Sequence, residues 1–386
     1  MTPGARVSAA IEVLDAIAGG LAAEQALTRW ARQSRFAGSK DRAAVRDYVF
    51  DVLRQRRTAA HYGRGETGRA LMIGMLHGQG ADLDTLFTGE GHAPTPLSDE
   101  ERQAPDAPED RATKNNLADW LPPLFDAALG DKADAVAVAL QARGPICLRV
   151  NTARIEVSAA QALLAEDGVQ TCANPLADAA LTVTEGTRRI RNSRAFSDGY
   201  VELQDAASQA VVAALPLGGR VLDYCAGGGG KALALAMDPS REISAHDIDL
   251  RRMSDLPPRA ERAGVSITLA DTEQAKAGAP YDLVLCDAPC SGSGAWRRAA
   301  EGKWTLTPDR LAELTGIQDQ ILDTAAALTA PQGVLAYATC SLFREENEAR
   351  VEAFLTRHPA WKIARMDRHD VTPDGDGFFS AQLTRD

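Results

Sequence analysis

Long apolar runs are missing from this 386-residue chain. No stretch of about 18 consecutive apolar residues occurs, which excludes a membrane-spanning helix. The N-terminal residues Met1–Arg6 lack the apolar core of a signal peptide, so we expect a cytoplasmic protein with its six cysteines reduced. The cysteines form no Cys-x-x-Cys pair and the histidines form no His-x-x-x-His pair, so the sequence predicts no metal site.

Positive charge is in deficit, since the formal net charge is −11. That balance argues against a protein that simply coats nucleic acid. The basic residues are nevertheless concentrated in the first sixty residues and in a second group between 188 and 194. Such groups are either solvated faces or phosphate-binding surfaces, and the sequence leaves both open. The residues are Arg29, Arg32, Arg35, Lys40, Arg42, Arg46, Arg54, Arg56, Arg57, Arg188, Arg189, Arg191 and Arg194.

The first part of the chain has the pattern of amphipathic helices. Val45, Val49 and Val52 fall at helical spacing, and arginines lie between them on the outer face. Two short segments there, Asp41–Arg42 (DR) and Val49–Arg54 (VFDVLR), resemble the NusB-like RNA-binding domain that some ribosomal-RNA methyltransferases carry. A plain helical bundle is the alternative.

The later part of the chain predicts an α/β architecture. Cys147–Asn151 has the pattern of a strand, and from Ala206 onward strand and helix patterns alternate, which is typical of a doubly wound parallel sheet. A long helix is expected over residues 308–329, because Thr307 can cap it and Pro308 suits its first turn. The expected domains are a helical NusB-like RNA-binding domain (1–90), a linker with helices (91–143), a small α+β RNA-binding subdomain (144–205) and a Rossmann-like domain (206–386).

Five short apolar runs in the last domain predict buried parallel strands. Each run ends in residues that are capable of ligand contact or chemistry. Ligands of open α/β sheets bind outside the carboxyl ends of the strands, so these ends define the candidate site. The predicted strands are Arg220–Asp223, Glu242–His246, Ser266–Leu269, Tyr281–Cys286 and Gly333–Tyr337.

A glycine-rich loop follows the first of these strands. Asp223–Lys231 reads DYCAGGGGK, and four glycines allow the backbone to approach a ligand closely before a helix begins. The loop fits the dinucleotide pattern Gly-x-Gly-x-x-Ala, with Asp247 about twenty residues further on. Cys225 and Ala232 exclude a Walker A loop, because they replace its first glycine and its Ser/Thr.

The acids at the strand ends favour a different cofactor. A carboxylate at Asp223 would repel a pyrophosphate and attract an ammonium group, whereas Asp247 is placed to bind a ribose and Asp271 an adenine amino group. S-adenosylmethionine has an amino-acid end, a ribose and an adenine but no phosphate, so it fits these acids better than NAD does. A helix N-cap is the alternative role for any single one of them.

Two cysteines follow the fourth and fifth strands. Asp287–Gly292 reads DAPCSG and contains Cys290, and Thr339–Ser341 contains Cys340. Cys340 precedes a helix expected over 345–355, whose dipole would favour a thiolate. A lone cysteine is more often buried packing, but two at neighbouring strand ends are expected to face one pocket.

A pair of thiols with an acid suits methylation of a pyrimidine. Cytosine C5 attacks a methyl sulfonium poorly, whereas addition of a thiolate to C6 makes C5 enamine-like. An acid near N3 can stabilise that adduct, and a second group is needed when the C5 proton and the thiol leave. Asp287, Cys290 and Cys340 can supply this set.

These motifs resemble the Sun-type RNA (cytosine-5) methyltransferase family, in its ribosomal small-subunit form with a NusB-like N-terminal domain. The resemblance extends from Cys147 to the C-terminus. Within that span the paired Pro-Cys and Thr-Cys-Ser motifs are its most specific part. The matching segments are Arg149–Asn151, Gln204–Ser208, the glycine loop through Lys231, Asp247, Asp271, Asp287–Gly292, Thr339–Ser341, Glu346–Glu348 and Asp376–Phe379.

The resemblance implies a role for each site residue. Cys340 is expected to be the nucleophile and Cys290 to assist product release, whereas DNA cytosine methyltransferases use the Pro-Cys thiol as nucleophile. Asp287 completes the expected catalytic set. The expected S-adenosylmethionine site comprises Cys225, Ala226, Gly227, Gly228, Gly229, Gly230, Lys231, Asp247, Asp271 and Asp287.

Two departures from the family pattern concern the glycine loop and the RNA side. Gly228 and Ala232 replace a proline and a threonine, which we expect to loosen the loop and weaken cofactor affinity. Ala299–Glu301 replaces Asn-Pro-Asp. The target cytosine must flip out of a helix or lie in a loop, where Trp296 or Trp304 could stack on it. RNA contacts are expected from Arg149, Asn151, Arg297, Arg298 and Lys303, with phosphates also held by the Arg188–Arg194 group.

The sequence therefore predicts an S-adenosylmethionine-dependent RNA (cytosine-5) methyltransferase that forms a covalent cysteine–C6 adduct. The expected substrate is 16S ribosomal RNA, on the strength of the NusB-like segments, and transfer RNA is the nearest alternative. A non-catalytic RNA-binding ribosome assembly factor and an NAD-dependent oxidoreductase are the rival classes. We expect a monomer with RNA as its partner and no membrane association.

Overall fold

The computed structural model describes residues 1–385. Within them the chain divides into two compact units. The helical unit combines Met1–Arg143 with Trp296–Thr305, and the sheet unit combines Gly144–Ala295 with the chain from Leu306 onward. The change of unit at Gly144 coincides with a predicted domain boundary, whereas the sequence analysis did not anticipate that Trp296–Thr305 belongs with the N-terminal residues. Over the described length, no helix is long and apolar enough to cross a membrane.

Helices form wherever the sequence has a 3.6-residue apolar period. Val45, Val49 and Val52 are each 0 % exposed on one face of their helix, as their spacing predicts. The helices are α1 (Pro3–Ala18), α2 (Ala23–Gln33), α3 (Ser39–Arg54), α4 (Arg56–Tyr62), α5 (Gly68–Gly78), α6 (Arg111–Lys114), α7 (Pro122–Leu129), α8 (Ala133–Ala139), α9 (Val157–Glu166), α10 (Arg194–Ser197), α11 (Ala206–Ala213), α12 (Gly230–Leu235), α13 (Leu256–Ala263), α14 (Thr272–Ala277), α15 (Gly302–Thr305), α16 (Pro308–Leu328) and α17 (Glu348–Arg357).

The inserted segment Trp296–Thr305 is held in the helical unit by the end of α3. The last carbonyls of a helix have no partner within it, and two of them accept hydrogen bonds from this segment. Lys303 Nζ donates to the Arg54 carbonyl at 2.7 Å, and Trp304 Nε1 donates to the Leu53 carbonyl at 2.6 Å. Burial lowers the pKa of Lys303 to about 7. The segment is therefore an integral part of the helical unit.

The sheet unit contains a small antiparallel sheet and a larger, mostly parallel one. The small sheet has the order β2-β3-β1-β4, and the large sheet has the order β10-β11-β9-β8-β5-β6-β7. The strands are β1 (Cys147–Val150), β2 (Gln170–Ala173), β3 (Ala180–Glu185), β4 (Val201–Leu203), β5 (Gly219–Asp223), β6 (Arg241–His246), β7 (Thr268–Ala270), β8 (Tyr281–Asp287), β9 (Thr329–Thr339), β10 (Trp361–His369) and β11 (Phe378–Arg385).

The five predicted strands of the large sheet are confirmed as β5 to β9. They pair in parallel, and β8 lies between β5 and β9. The strands β10 and β11 were not predicted from the sequence, and β11 pairs antiparallel with both β9 and β10. The strand β10 is mostly exposed and carries charged residues, so it lacks the apolar run that identified the others.

The helices around the large sheet follow their sequence signals closely. The helix α16 begins at Pro308, where Thr307 Oγ1 accepts a hydrogen bond from the Arg310 amide, and it ends one residue before the predicted limit. The helix α17 begins at Glu348, after a short 3₁₀ turn at Arg344–Glu346. It was expected to begin at Glu345, so the helix N-terminus lies further from Cys340 than the sequence implied.

Candidate active site

The carboxyl ends of the central strands meet at one edge of the large sheet. In the register of these parallel strands, Asp223 of β5 is paired with Leu285 of β8, and Asp287 of β8 is paired with Ala338 of β9. The loops after β5, β8 and β9 therefore open on one cavity of about 640 Å³. It is lined by Gln204, Ser208, Tyr224, Cys225, Ala226, Gly227, Gly228, Gly230, Lys231, His246, Asp247, Ile248, Arg252, Asp287, Ala288, Pro289, Cys290, Ile317, Gln320, Ile321, Thr324 and Cys340.

The two thiols predicted to share a pocket lie in contact with each other. Cys290 Sγ and Cys340 Sγ are 3.5 Å apart, although fifty residues of chain separate them. The hydrogen bond with Cys340, followed by burial, raises the pKa of Cys290 well above its ordinary value. Either sulfur can donate the hydrogen bond to the other, so the contact shows that the two thiols can exchange a proton directly.

Lys231 and Asp287 form an ion pair on the cavity wall. Lys231 Nζ lies 2.6 Å from Asp287 Oδ2, and the lysine side chain is only 7 % exposed. Burial opposes the charge on Lys231, but the Asp287 carboxylate outweighs it, so the pKa of Lys231 is raised. Asp287 is a third exposed and faces the cavity, with its negative charge largely balanced by the lysine.

Asp223 lies beneath this pair, enclosed by the protein. It is 0 % exposed, and among residues 1–385 neither of its carboxylate oxygens has a hydrogen-bond partner of normal geometry. Burial, with a smaller contribution from the charge of Asp287, raises the pKa of Asp223 to about 7. Asp223 was expected to attract a ligand's ammonium group directly. It does not line the cavity, because the residues from Tyr224 onward form the wall at this point.

The buried carboxyl group of Asp223 should make the stability of the protein fall with increasing pH. Between pH 4 and 7 the folded protein holds a proton on Asp223 that the unfolded chain releases, so stability is lost as pH rises through that window. The shift from 3.8 to about 7 corresponds to at most about 4 kcal/mol. We expect Asp223→Asn to remove this slope in urea unfolding at pH 5 and 8. The exposed Asp131→Asn is the control, and an unchanged slope in Asp223→Asn would contradict the assignment.

The glycine loop and Asp247 are bound to each other. Asp247 Oδ2 accepts a hydrogen bond from the Gly227 amide at 2.9 Å and pairs with Arg252 at 3.1 Å. Gly229 has a φ of +77°, and a Cβ atom there would lie 2.3 Å from the side chain of Leu256, so only glycine fits. The carbonyl of Gly228 accepts a hydrogen bond from Arg259. The loop is thus held by side chains on the following elements, which compensates for its lack of a proline.

Most of the residues predicted to bind the cofactor lie on the cavity wall. Cys225–Gly228, Gly230, Lys231, Asp247 and Asp287 all line it. Within the described part of the chain, Gly229 and Asp271 are not part of this wall. Asp271 instead caps α14, where its Oδ1 accepts a hydrogen bond from the Gln274 amide at 2.8 Å. Asp271 therefore caps a helix, which was the alternative role given to each of these acids in place of cofactor binding.

Two residues predicted to contact RNA are buried inside the sheet unit. Arg149 is 4 % exposed and Asn151 is 5 % exposed. Arg149 Nη1 donates to Gln204 Oε1 and to the Gly230 carbonyl at 2.9 Å, and Asn151 Nδ2 donates to the Ala263 carbonyl at 2.8 Å. Burial lowers the pKa of Arg149 to about 10. Their burial contradicts the prediction of RNA contact, and they support the glycine loop and the end of α13 instead.

Of the basic residues after the Pro-Cys motif, two are buried and one is exposed. Arg297 and Lys303 are 3 % and 1 % exposed within the helical unit, so their charges are not on the surface. This burial contradicts the prediction that they contact RNA. Arg298 is exposed and stays a candidate. Trp296 is 1 % exposed and packs near Phe125, which leaves only Trp304 as a stacking candidate.

Sequence reasoning assigned no role to two residues near the thiols. Glu346 is 0 % exposed and binds the loops of both cysteines, although its segment had been noted only as a family motif. Gln204 lines the cavity and accepts a hydrogen bond from Arg149. For Glu346 the only signal in the sequence was its place shortly after the Thr-Cys-Ser motif. The role of Glu346 depends on its contacts with the two cysteine loops, which the sequence does not show.

Two family models match the chain. Residues 211–383 match the model described as 16S rRNA methyltransferase RsmB/F, and residues 117–188 match the model described as the Methyltr_RsmF/B-like, ferredoxin-like domain. The first match covers the large sheet and its loops. The second covers most of the small antiparallel sheet and the helices before it.

Curated relatives and a solved structure agree with these matches. The chain is 36 % identical over 249 residues to ribosomal RNA small subunit methyltransferase B of Xanthomonas campestris, covering 62 % of this chain and 56 % of that protein. The protein of the same name from Salmonella arizonae is 32 % identical over 288 residues, 69 % of this chain and 66 % of that protein. The chain thus spans less than two thirds of the length of these relatives. A methyltransferase homolog protein from Pyrococcus horikoshii has a similar structure, with a TM-score of 0.63, 25 % identity and coverage of 72 % of this chain and 98 % of that one.

Proposed function

The chain belongs to the RsmB/F family of 16S rRNA methyltransferases, and from this premise we propose that it is an S-adenosylmethionine-dependent RNA (cytosine-5) methyltransferase. The observation that carries the proposal is the contact between Cys290 and Cys340 in the wall of a cavity that is also lined by the carboxylates of Asp247 and Asp287. Two thiols beside an acid are the groups that methylation at an unreactive pyrimidine carbon requires.

The cavity suits S-adenosylmethionine in size and charge. Its volume of about 640 Å³ is within the range of roughly 300–1,000 Å³ that holds small ligands. When bound, S-adenosylmethionine supplies a methyl group on a cationic sulfur. The carboxylates of Asp247 and Asp287, although paired with Arg252 and Lys231, place acceptor oxygens on the cavity wall for the polar groups of such a ligand. We assign the binding to the loop Cys225–Lys231, with Asp247 for the ribose.

Cys340 is the proposed nucleophile. Its thiolate adds to C6 of the cytosine, the C5=C6 bond opens, and C5 gains the electron density that allows it to accept a methyl group. We assign Cys290 as the donor of the hydrogen bond across the 3.5 Å between the two sulfurs, which favours this form of Cys340. The Asp287 oxygen that Lys231 does not engage can accept a hydrogen bond from the N4 amino group of the ring, and from N3 once N3 has taken a proton, while the lysine offsets the charge of the carboxylate.

Cys290 acts after the methyl group has been transferred. Its hydrogen bond to Cys340 is the largest cause of its raised pKa. Once Cys340 is bonded to carbon as a thioether, this cause is lost, and Cys290 ionises more easily. It can then remove the C5 proton, so that the C5=C6 bond reforms and the Cys340 thiolate leaves.

The proposed substrate is ribosomal RNA of the small subunit, with transfer RNA as the nearest alternative. The names of the curated relatives and the NusB-like segments near Asp41 and Val49 support the ribosomal choice. Bisulfite sequencing of total RNA from a deletion strain tests it. Loss of one 5-methylcytosine in small-subunit RNA is the expected outcome, and a loss confined to a transfer RNA would reassign the substrate.

A non-catalytic RNA-binding assembly factor is the second candidate, because Arg252 already pairs with the carboxylate of Asp247. Calorimetry with S-adenosylmethionine separates the two. We expect binding to the wild-type protein and about tenfold weaker binding to Asp247→Ala, since the charged hydrogen bonds to the ribose are lost. Glu273→Ala on α14, whose exposed carboxylate pairs with Lys276, is the control. No heat of binding to the wild-type protein would favour the assembly factor.

A further inference from the structure

A polar cluster joins the two loops that carry the thiols. The serine–glutamate cluster consists of Ser291 and Ser293 after β8, Ser341 after β9, and Glu346 in the following turn. Ser293 Oγ lies 3.2 Å from Ser291 Oγ and 3.1 Å from Ser341 Oγ, and it accepts a hydrogen bond from the Leu342 amide at 2.8 Å. The cluster is therefore continuous from one loop to the other.

Glu346 is the centre of this cluster. Its Oε1 accepts hydrogen bonds from the Ser291 amide at 2.8 Å and from Gln318 Nε2 at 3.1 Å. Its Oε2 accepts from Ser291 Oγ and Ser341 Oγ, each at 2.5 Å. A carboxylate with 0 % exposure is unfavourable unless its oxygens are satisfied, and four donors satisfy this one.

The donors are immediate neighbours of the two thiols. Ser291 follows Cys290 in the chain, and Ser341 follows Cys340, so one carboxylate binds the residue next to each sulfur. Gln318 extends the contact to the other side of Cys290, because its Nε2 also donates to the Pro289 carbonyl at 2.9 Å. The Cys290 loop is thus fixed on both sides of its sulfur.

The backbone of Glu346 is itself fixed. Tyr337 Oη donates to the Glu346 carbonyl at 2.6 Å, and Asn347 Nδ2 donates to the Ser341 carbonyl at 2.9 Å. Tyr337 belongs to β9, in the middle of the large sheet. The carboxylate therefore joins the loops from a rigid support and not from a mobile turn.

We propose that Glu346 is a positioning residue that sets the distance and orientation between Cys290 and Cys340 by binding the neighbour of each. The catalytic consequence rests on the proposed function, since an adduct at Cys340 needs Cys290 in place to resolve it. The effect of Glu346 on the distance between the two sulfurs does not rest on the proposed function, because that distance is a property of the protein alone.

Removing the carboxylate should separate the thiols. In Glu346→Ala the Ser291 amide and the Gln318 amide lose a buried acceptor, and the loops are free to move apart. Glu346→Gln keeps the shape and an acceptor for those two amides, while the serine hydroxyls can turn to accept from its NH₂. The charge of Glu346 is also one of the causes that raise the pKa of Cys290, after the bond to Cys340, burial and the charge of Cys340. Glu346→Gln should therefore shift thiol reactivity toward lower pH.

The test is thiol cross-linking with dibromobimane, which bridges neighbouring sulfurs, with the bridged peptides identified by mass spectrometry. We expect the Cys290–Cys340 bridge to form about tenfold more slowly in Glu346→Ala and within about threefold of wild type in Glu346→Gln. Glu352→Gln, an exposed carboxylate paired with Arg344, is the control. The pH midpoint of Cys290 alkylation should be lower in Glu346→Gln than in this control.

Turnover gives the second readout. A misplacement of about 1 Å lowers kcat by about a hundredfold, and we expect that loss in Glu346→Ala with the KM for the methyl donor nearly unchanged. Cross-linking and kcat equal to those of Glu352→Gln would overturn the inference. If Glu346→Ala does not fold, Ser341→Ala is the second variant because it removes one donor to the carboxylate, and bridging of the thiols at the control rate in that variant overturns the inference equally. Wild-type protein that neither binds S-adenosylmethionine nor methylates RNA would refute the proposed function alone, because the cross-linking comparison still tests the positioning.

Discussion

Cys340→Ala should abolish methyl transfer to RNA, with a loss of about 10⁴-fold or more, equivalent to at least ~5.5 kcal/mol of transition-state stabilisation. Without a sulfur at this position no covalent bond to C6 forms, and C5 stays too poor a nucleophile to take a methyl group. The measurement is incorporation of labelled methyl groups into small-subunit RNA, together with a gel assay for the covalent RNA–protein species. Both signals should be absent.

The choice of Cys340 over Cys290 follows the family resemblance, in which the sulfur of the Thr-Cys-Ser motif is the nucleophile. The two sulfurs are 3.5 Å apart and either can donate to the other, so the variants decide between them. Cys172, an exposed cysteine on β2, provides the matched control, since Cys172→Ala removes a thiol outside the cavity. Persistent methylation in Cys340→Ala would exclude it as nucleophile. Loss of the covalent species in Cys290→Ala alone would give that role to the Pro-Cys sulfur.

Cys290→Ala should trap the enzyme on its product. The first bond to C6 still forms through Cys340, but the group that removes the C5 proton is missing, so the adduct accumulates. We expect a covalent RNA–protein complex that survives denaturing electrophoresis, and turnover lowered by roughly 10²–10⁴-fold, the usual contribution of a general base. Mass spectrometry of the digested complex should place the nucleotide on the peptide that contains Cys340.

The double variant separates the two roles. In Cys290→Ala/Cys340→Ala the covalent complex should disappear, because the sulfur that forms it is gone. Rapid turnover by Cys290→Ala without any accumulated complex would remove Cys290 from the release step. A complex that forms through Cys290 in the Cys340→Ala variant would reverse the order of the two thiols.

The local signals of the sequence were sufficient for the five parallel strands of the large sheet. The strands β5 to β8 contain apolar runs that end at or just before a carboxylate residue, and β9 contains one that ends at the Thr-Cys-Ser motif. Such runs are visible without tertiary contacts. The helix α16 was placed to within one residue because a capping threonine and a first-turn proline mark its start. The strand β10 has no such signal, because its exposed residues are a mixture of charged and apolar side chains without an apolar run.

The burial of several basic residues could not be predicted from the sequence. Arg149 was predicted to contact RNA as part of a segment that matches the family, and Arg297 and Lys303 were predicted to hold phosphates as basic residues after the Pro-Cys motif. Each is buried, and Lys303 is bound to the Arg54 carbonyl, 249 residues away in the chain. Whether a cation binds a phosphate or a backbone carbonyl is decided by contacts between distant segments, which composition and spacing do not contain.

The sequence by itself determined which chemical groups stand at the strand ends, because strand, loop and thiol motif follow one another within a few residues. Only the tertiary structure decided how those groups act on each other. The 3.5 Å contact of Cys290 with Cys340, the isolation of Asp223 and the four donors on Glu346 all arise where separate parts of the chain pack together. Burial raises the pKa of Asp223, and a hydrogen bond together with burial raises that of Cys290, and both effects depend on neighbours that only folding brings into contact.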